Sequence, residues 1–397
     1  MSQPASVRHV EWHEVAPWLL LFRVLSVALS LRVILLGTAG ALVSWGGLEL
    51  LQWGTQRVLY VESPAPGNAL VRSAGVVNAY IPPQDAWQLA APVREVTDWY
   101  AGLWQWWRGW LDFSMDWQRL LLWVLDGLWL LVVGSVFGGA IQRIAAARLG
   151  RHVWLGPRVA WQHVRKKLLS YWGAPLLPMV ALCIGLGLLW LAGLFMRLTA
   201  GIAVVALFWP LVLIGTLLWV LLFLGLAFGW PLMWAALGTE QDADAWDAVS
   251  RGYASTLQRP FRYALYLVVA VLVGLAGWLL VYHVVGLTLY VSREAVLRAA
   301  GEDAAGLRES LFAAKAPSVG LFFGWLIVAL NYLLHWISSG FAYGYFFAGA
   351  TAIYLLLRRD TTQTPIDEVY LGEEDQSLQL PPLPTAPGTG SGPSANA

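Results

Sequence analysis

"GTEQDADAWDAVSRGYASTLQRP", residues 238–260, stands between two long apolar runs. It is either a site of chemistry or the place where the chain turns round at a membrane surface. The preceding run, residues 201–238, carries no charged side chain, and apolar sequence resumes just past Pro260. Asp242, Asp244 and Asp247 have the ligand type that holds a hard cation such as Mg²⁺. In helical geometry, however, Asp244 and Asp247 share one face, while Trp246, Val249, Tyr253 and Leu257 form an apolar stripe on another. Aspartates in a first turn also favour the positive end of a helix. The stretch therefore reads as a short surface helix that starts at its aspartates and re-enters the membrane at Arg259, Pro260 and Arg262.

Composition supports that reading. The 397 residues are 58% hydrophobic and 12% charged, against about 45–50% and about 25% in soluble domains. A net charge of +1 offers no basic face for nucleic acid. Cys183 is the lone cysteine, which excludes an intramolecular disulfide and a cysteine metal cluster. No short apolar core with a small-residue cleavage site opens the chain, so the first span is expected to act as an uncleaved signal anchor.

Runs of bilayer length, about 20 residues, begin near Val33, Arg119, Pro175, Gly201, Tyr263 and Ser318. The expected fold is all-α and polytopic, with six transmembrane helices. Residues 142–167 hold Arg143, Arg148, Arg151, Arg158, Arg165, Lys166 and Lys167 with no acid, which marks that face as cytoplasmic. Both termini then lie on the cytoplasmic side of the inner membrane. The expected organisation is an amphipathic cytoplasmic segment over 1–32, a membrane domain over 33–360 and a disordered tail over 361–397. Within the domain, 54–118 and 292–317 are external and 142–174 and 239–262 cytoplasmic. Runs 201–238 and 318–357 are each near 40 residues, about 60 Å as straight helix against a core of roughly 30 Å. Pro210 and Gly229–Pro231 are the candidate breaks in the first, and "HWISSGF", residues 335–341, in the second. A seventh span from the second break would put Arg358 and Arg359 outside, against the charge rule.

Residues 10–32, 156–175 and 244–262 each lead from the cytoplasmic face into a span. Each is basic-ended and contains aromatic residues, so three amphipathic surface helices attracted to anionic lipid headgroups are expected. In the external segment Val96, Trp99, Leu103, Trp106, Trp107 and Trp110 recur at helical spacing. They predict an interfacial helix with tryptophans at headgroup level; a carbohydrate or ligand platform is the other reading.

Polar residues within spans are the remaining candidates. Glu49 and Asp126 fall at similar depth, where a carboxylate is costly unless wetted or paired. Asn331, His335, Ser338 and Ser339 follow one helical stripe, which lines a cavity or bonds across packed helices. Glycine pairs 134/138, 225/229, 320/324 and 340/344 have close-packing spacing. No catalytic, cofactor-binding or metal-ligating set is predicted.

Two resemblances bear on function. "DAWDAVSRG" is similar to the D-x-x-D-G-x-x-A-R signature of CDP-alcohol phosphatidyltransferases. Yet Ala248 replaces its glycine, Arg251 comes one residue early and no second aspartate pair follows. "FGGAIQRIAAARL" (137–149), "KLLSYWGAPLLPM" (167–179), "GWPLMWAAL" (229–237) and "ATAIYLLLRRD" (350–360) resemble uncharacterised bacterial, planctomycete-type polytopic membrane proteins. They are also similar to membrane-domain families found near glycerophosphodiester phosphodiesterases. The resemblance implies no catalytic residues. The expected function is non-enzymatic, a structural or assembly role with lipid and with protein partners or further copies of the chain. Alternatives are a small-molecule or lipid carrier using the polar residues, and an intramembrane enzyme.

Overall fold

Apolar segments in a bilayer satisfy their own backbone hydrogen bonds only as helices or closed barrels, and this chain uses helices. The computed structural model describes residues 16–59, 106–112, 116–300 and 321–370, and every regular element among them is helical. A short α1 (Leu20–Ala28) leads into α2 (Leu31–Leu59). Helix α3 (Trp117–Val133) continues through a π-helical stretch, Gly134–Gly138, into α4 (Gly139–Arg151). Then follow α5 (Pro157–Lys166), α6 (Leu168–Phe195), α7 (Thr199–Leu207), α8 (Trp209–Thr239), α9 (Ala245–Leu257), α10 (Pro260–Ala300) and α11 (Leu321–Thr362). Among the described residues, six helical stretches are long and apolar enough to cross a membrane: Leu31–Thr55, Trp117–Arg151, Leu168–Phe195, Trp209–Thr239, Pro260–Ser292 and Ala329–Thr362. The all-α polytopic fold is as expected, and short helices α1, α5 and α9 precede the first, third and fifth of these.

Several boundaries differ from the sequence reading. Helix α4 runs on to Arg151 and α6 begins at Leu168, so the segment 142–174 is largely helical and its non-helical turns are short. Pro175 lies inside α6 instead of starting it. A proline takes the hydrogen bond from the carbonyl four residues back, here Tyr171, and the indole N–H of Trp234 donates to that carbonyl at 2.7 Å. Of the candidate breaks in 201–238, Pro210 marks a real one. It occupies the first turn of α8, where its missing N–H is no loss, whereas Pro231 stays within the helix. Residues 292–300, assigned to a loop, continue α10.

The last run is one unbroken helix through "HWISSGF", so it does not cross twice. In its most apolar window 83% of residues are buried, against 11% to 39% in the other spans, which makes α11 the axis of the bundle. Its seam with α2 is closed by glycine. A methyl added at Gly37 would strike the carbonyl of Gly340, and one at Gly340 would strike Thr38. The other described glycine pairs also serve internal packing: Trp234 and Phe347 fill the space over Gly134 and Gly138, and Tyr253 and Gly252 that over Gly225 and Gly229.

Three further corrections concern surfaces. Asp244 caps α9 by accepting from the Asp247 N–H at 2.8 Å, as the aspartates suggested. The helix, however, buries Ala248, Gly252, Ser255 and Thr256 against α8 and leaves Trp246 69% exposed. Trp106, Trp107 and Trp110, expected at an interface, are buried: Trp106 stacks on Trp123 at 5.1 Å and Trp107 meets Phe223 edge-on. Trp123 also donates to the Trp106 carbonyl, which ties this segment to α3. The rest of the predicted interfacial helix lies outside the described residues. So do 371–397, but 363–370, placed in the tail, fold back as a strap with Val369 buried against Gly150.

Gly340→Ala should lower stability by about 1–3 kcal/mol because rigid backbone blocks relaxation. Gly215→Ala, where nothing lies within 4 Å, should gain up to about 1 kcal/mol. Thermal unfolding in detergent measures both.

Candidate functional site

The sequence-predicted polar residues fall in three environments. His335, Ser338 and Ser339 are buried in α11 and Asn331 is half-buried one turn toward its start. The Ser338 hydroxyl donates to the His335 carbonyl at 2.7 Å, inside the helix itself. This stripe therefore lies in the most densely packed helix of the bundle. Glu49 is exposed on α2, while Asp126 on α3 is fully buried. Neither carboxylate oxygen of Asp126 has a hydrogen-bond partner among the described residues. The two acids, expected at similar depth, lie in different environments.

The strongest polar constellation is one that sequence reading missed, and it begins inside the turn stretch, at Glu240. Helix α8 ends at Thr239, leaving its final carbonyls without intrahelical partners. Each is met from another element. The His163 ring of α5 donates to the Leu237 carbonyl at 3.0 Å, and Arg143 of α4 donates to that of Gly238 at 2.9 Å. The Tyr370 N–H of the strap reaches the Thr239 carbonyl at 3.1 Å, and Lys167 reaches that of Glu240 at 2.7 Å. Cations suit this end because the helix dipole is negative there. The Arg143 guanidinium also lies over the Tyr370 ring, 5.7 Å from its centre.

The Glu240 carboxylate gathers a second ring of contacts. It accepts from Arg251 of α9 and, at 2.8 Å, from the Tyr354 hydroxyl of α11. Arg358 stands 3.8 Å away and also donates to the carbonyls of Pro365 and Glu368 in the strap. Beside it Asp360 accepts from Arg262 and from Tyr266, each at 3.0 Å. Six elements thus meet at the end of α8. The signal available in sequence was Glu240 itself, the first acid after a charge-free run, flanked in space by the all-basic segment.

Electrostatics at this end follow from burial. The His163 imidazole is pushed down to about 4, first by desolvation and then by the Arg143 charge. It is therefore a neutral donor to Leu237 at neutral pH. Lys167 is pushed down to about 8 by desolvation and Arg143, partly offset by Asp242 and Glu240. These donors are spent on helix carbonyls, so the arrangement is a structural knot. Among the described residues no group of three or more His, Cys, Asp or Glu side chains is placed to hold a metal ion.

An apolar cleft of about 90 Å³ opens between α3 and the α6–α8 hairpin, lined by Trp106, Trp107, Leu131, Met179, Trp230 and Trp234. Trp106 closes against Gly127, the neighbour of Asp126. Comparisons with protein-family models, with curated proteins and with solved structures find no match for this chain.

Two outcomes test the knot. Glu240→Gln leaves buried Arg358 without its counter-charge and should cost about 2 kcal/mol, whereas exposed Asp247→Asn should stay within about 0.5 kcal/mol; chemical denaturation in detergent compares them. The His163 ring, with a folded value near 4 and an unfolded value of 6.5, binds more protons when unfolded. Its contribution is complete above pH 6.5 and is lost as pH falls toward 4, on the order of 3 kcal/mol in all. Thermal midpoints over that window should fall more steeply for the native chain than for His163→Gln.

Proposed function

We propose that this chain is a non-enzymatic polytopic protein of the cytoplasmic membrane with a structural or assembly role. The observation that carries the reading is the packing of α11: of the polar stripe offered for a transport path, His335, Ser338 and Ser339 are buried where the most buried stretch of this helix begins, beside the glycine-closed seam with α2. The basic face is the cytoplasmic one, by its excess of arginine and lysine, and both termini lie there. On that face α5 turns Ala160 and Val164 inward and leaves Arg158, Trp161, Arg165 and Lys166 exposed, a pattern that suits anionic headgroups. On the lipid side, α6 and α8 bury only 11% and 22% of their apolar windows. That leaves broad faces for acyl chains, partner helices or a second copy of the chain. Relation to the planctomycete-type membrane proteins belongs to the same proposal.

One observation favours the carrier alternative. Asp126 is an unpartnered buried carboxylate next to the residue that Trp106 covers, at the rim of an apolar cleft. An intramembrane carboxylate of this kind is a default candidate for binding a cation or a lipid amine.

The two readings differ in whether water reaches α11. With Cys183 replaced by alanine, Ser338→Cys should resist a membrane-impermeant maleimide added to either face of sealed vesicles and react only after denaturation. Labelling from either face would displace the structural reading in favour of the carrier.

A further inference from the structure

The turn between α4 and α5, residues 152–156, is gripped by arginines from three helices. Arg23 of α1 donates to Nδ1 of His152 at 2.9 Å. Arg148 of α4 donates to the His152 carbonyl at 2.7 Å, and its guanidinium lies 4.6 Å from the centre of the Trp154 ring. Arg32 of α2 donates to the Leu155 carbonyl at 3.0 Å. Arg151 is exposed at the end of α4, beside His152, which adopts a left-handed φ of 60°. Three guanidiniums are thus drawn onto one turn, with exposed Arg151 at its edge, and among the described residues no carboxylate makes an ion pair with any of the four.

Such a cluster is unlike the knot at the end of α8, where Glu240 and Asp360 supply counter-charge. Each guanidinium carries five N–H donors in a fixed fork, and the bonds to the turn use one or two. The remaining donors of Arg23, Arg32 and Arg151 sit on exposed side chains. Like charges gathered on one turn favour an anion, and arginine forks match the oxygens of a phosphate. Exposed apolar side chains lie alongside: Trp18 and Phe22 on α1, Leu31 at the start of α2, and Trp154 in the turn. A site that offers phosphate donors next to bare apolar surface suits a molecule with both parts.

We infer that the α4–α5 turn, with Arg23, Arg32, Arg148 and Arg151, binds the phosphate of an anionic phospholipid whose chains lie along α1 and the start of α2. The inference rests on the surface-docking reading above and sharpens it from a diffuse basic face to one seat. Bound there, a lipid would hold α1, α2 and the α4–α5 turn together by a bridge that none of the three supplies alone.

The test uses the full-length chain, purified in detergent and stripped of lipid by exchange, with the thermal midpoint followed during titration. Phosphatidylglycerol should raise the midpoint, while phosphatidylcholine and inorganic phosphate at matched concentration should not. R23Q/R148Q should need about tenfold more phosphatidylglycerol for the same shift. R165Q/K166Q, which removes equal charge from α5, should need less than about threefold more. Equal losses in the two variants would overturn the seat and leave only diffuse attraction. A shift by inorganic phosphate as large as that by phosphatidylglycerol would overturn the lipid and leave a free-anion site. A native chain indifferent to phosphatidylglycerol would remove the surface-docking reading altogether. If R23Q/R148Q fails to fold, R23Q alone, at an exposed position, carries the same comparison.

Discussion

A helix that stops inside its own protein leaves its last carbonyls to be satisfied by something else. Each buried polar group left alone costs about 1–3 kcal/mol, so four at one helix end are comparable with the whole stability of a small domain. The end of α8 meets this demand with His163, Arg143, Lys167 and the backbone of Tyr370. Those residues belong to α5, α4, the start of α6 and the strap. The position of this end of the bundle follows from where they must stand to reach these carbonyls. Glu240 then fixes α9 and α11 to the same point through Arg251 and Tyr354.

Higher in the bundle, contact between apolar side chains discriminates little, because lipid offers the same contact. Close approach and buried hydrogen bonds have to specify the arrangement instead. Trp234 does both. Its N–H takes the carbonyl that Pro175 leaves open in α6, its ring lies over Gly134, and it stacks on Phe347 of α11. One side chain thereby joins α3, α6, α8 and α11 and lets α6 keep a proline without a break. Trp219 also crosses from α8 to α6, donating to the Leu182 carbonyl at 2.9 Å.

What could be read in the sequence was whatever depends on one segment at a time. Six apolar runs, the lead-in helices before alternate spans, the cap at Asp244 and the break at Pro210 are local, and they were legible. Contacts between distant segments were not. Trp106 and Trp107 looked like membrane anchors because their partners, Trp123 and Phe223, are far off in sequence. The apolar stripe of α9 is divided: Tyr253 packs over Gly225 of α8 beside Ala248 and Gly252, which make the closest fit, while Trp246 and Leu257 stay exposed. Residues 363–370 read as tail because their acidic neighbours outweigh Ile366, Val369 and Tyr370. At the candidate site the acids that stood out, Asp242, Asp244 and Asp247, gave way to Glu240, whose role depends on where Tyr354 and Arg358 come to lie.

The axis of the bundle is also the last span in the chain. Helix α11 supplies the surface on which α1, α2, α4, α8 and α10 pack, yet a ribosome completes it after all of them. Until then the glycine faces of α2 at Gly37 and of the π-helical stretch at Gly138 lack the α11 atoms that cover them. The earlier helices must therefore wait in the bilayer as loosely associated hairpins, their grooves filled by lipid or by insertion machinery. Threading α11 among them, and then laying the strap over the end of α8, turns a set of inserted spans into one protein in a single late step.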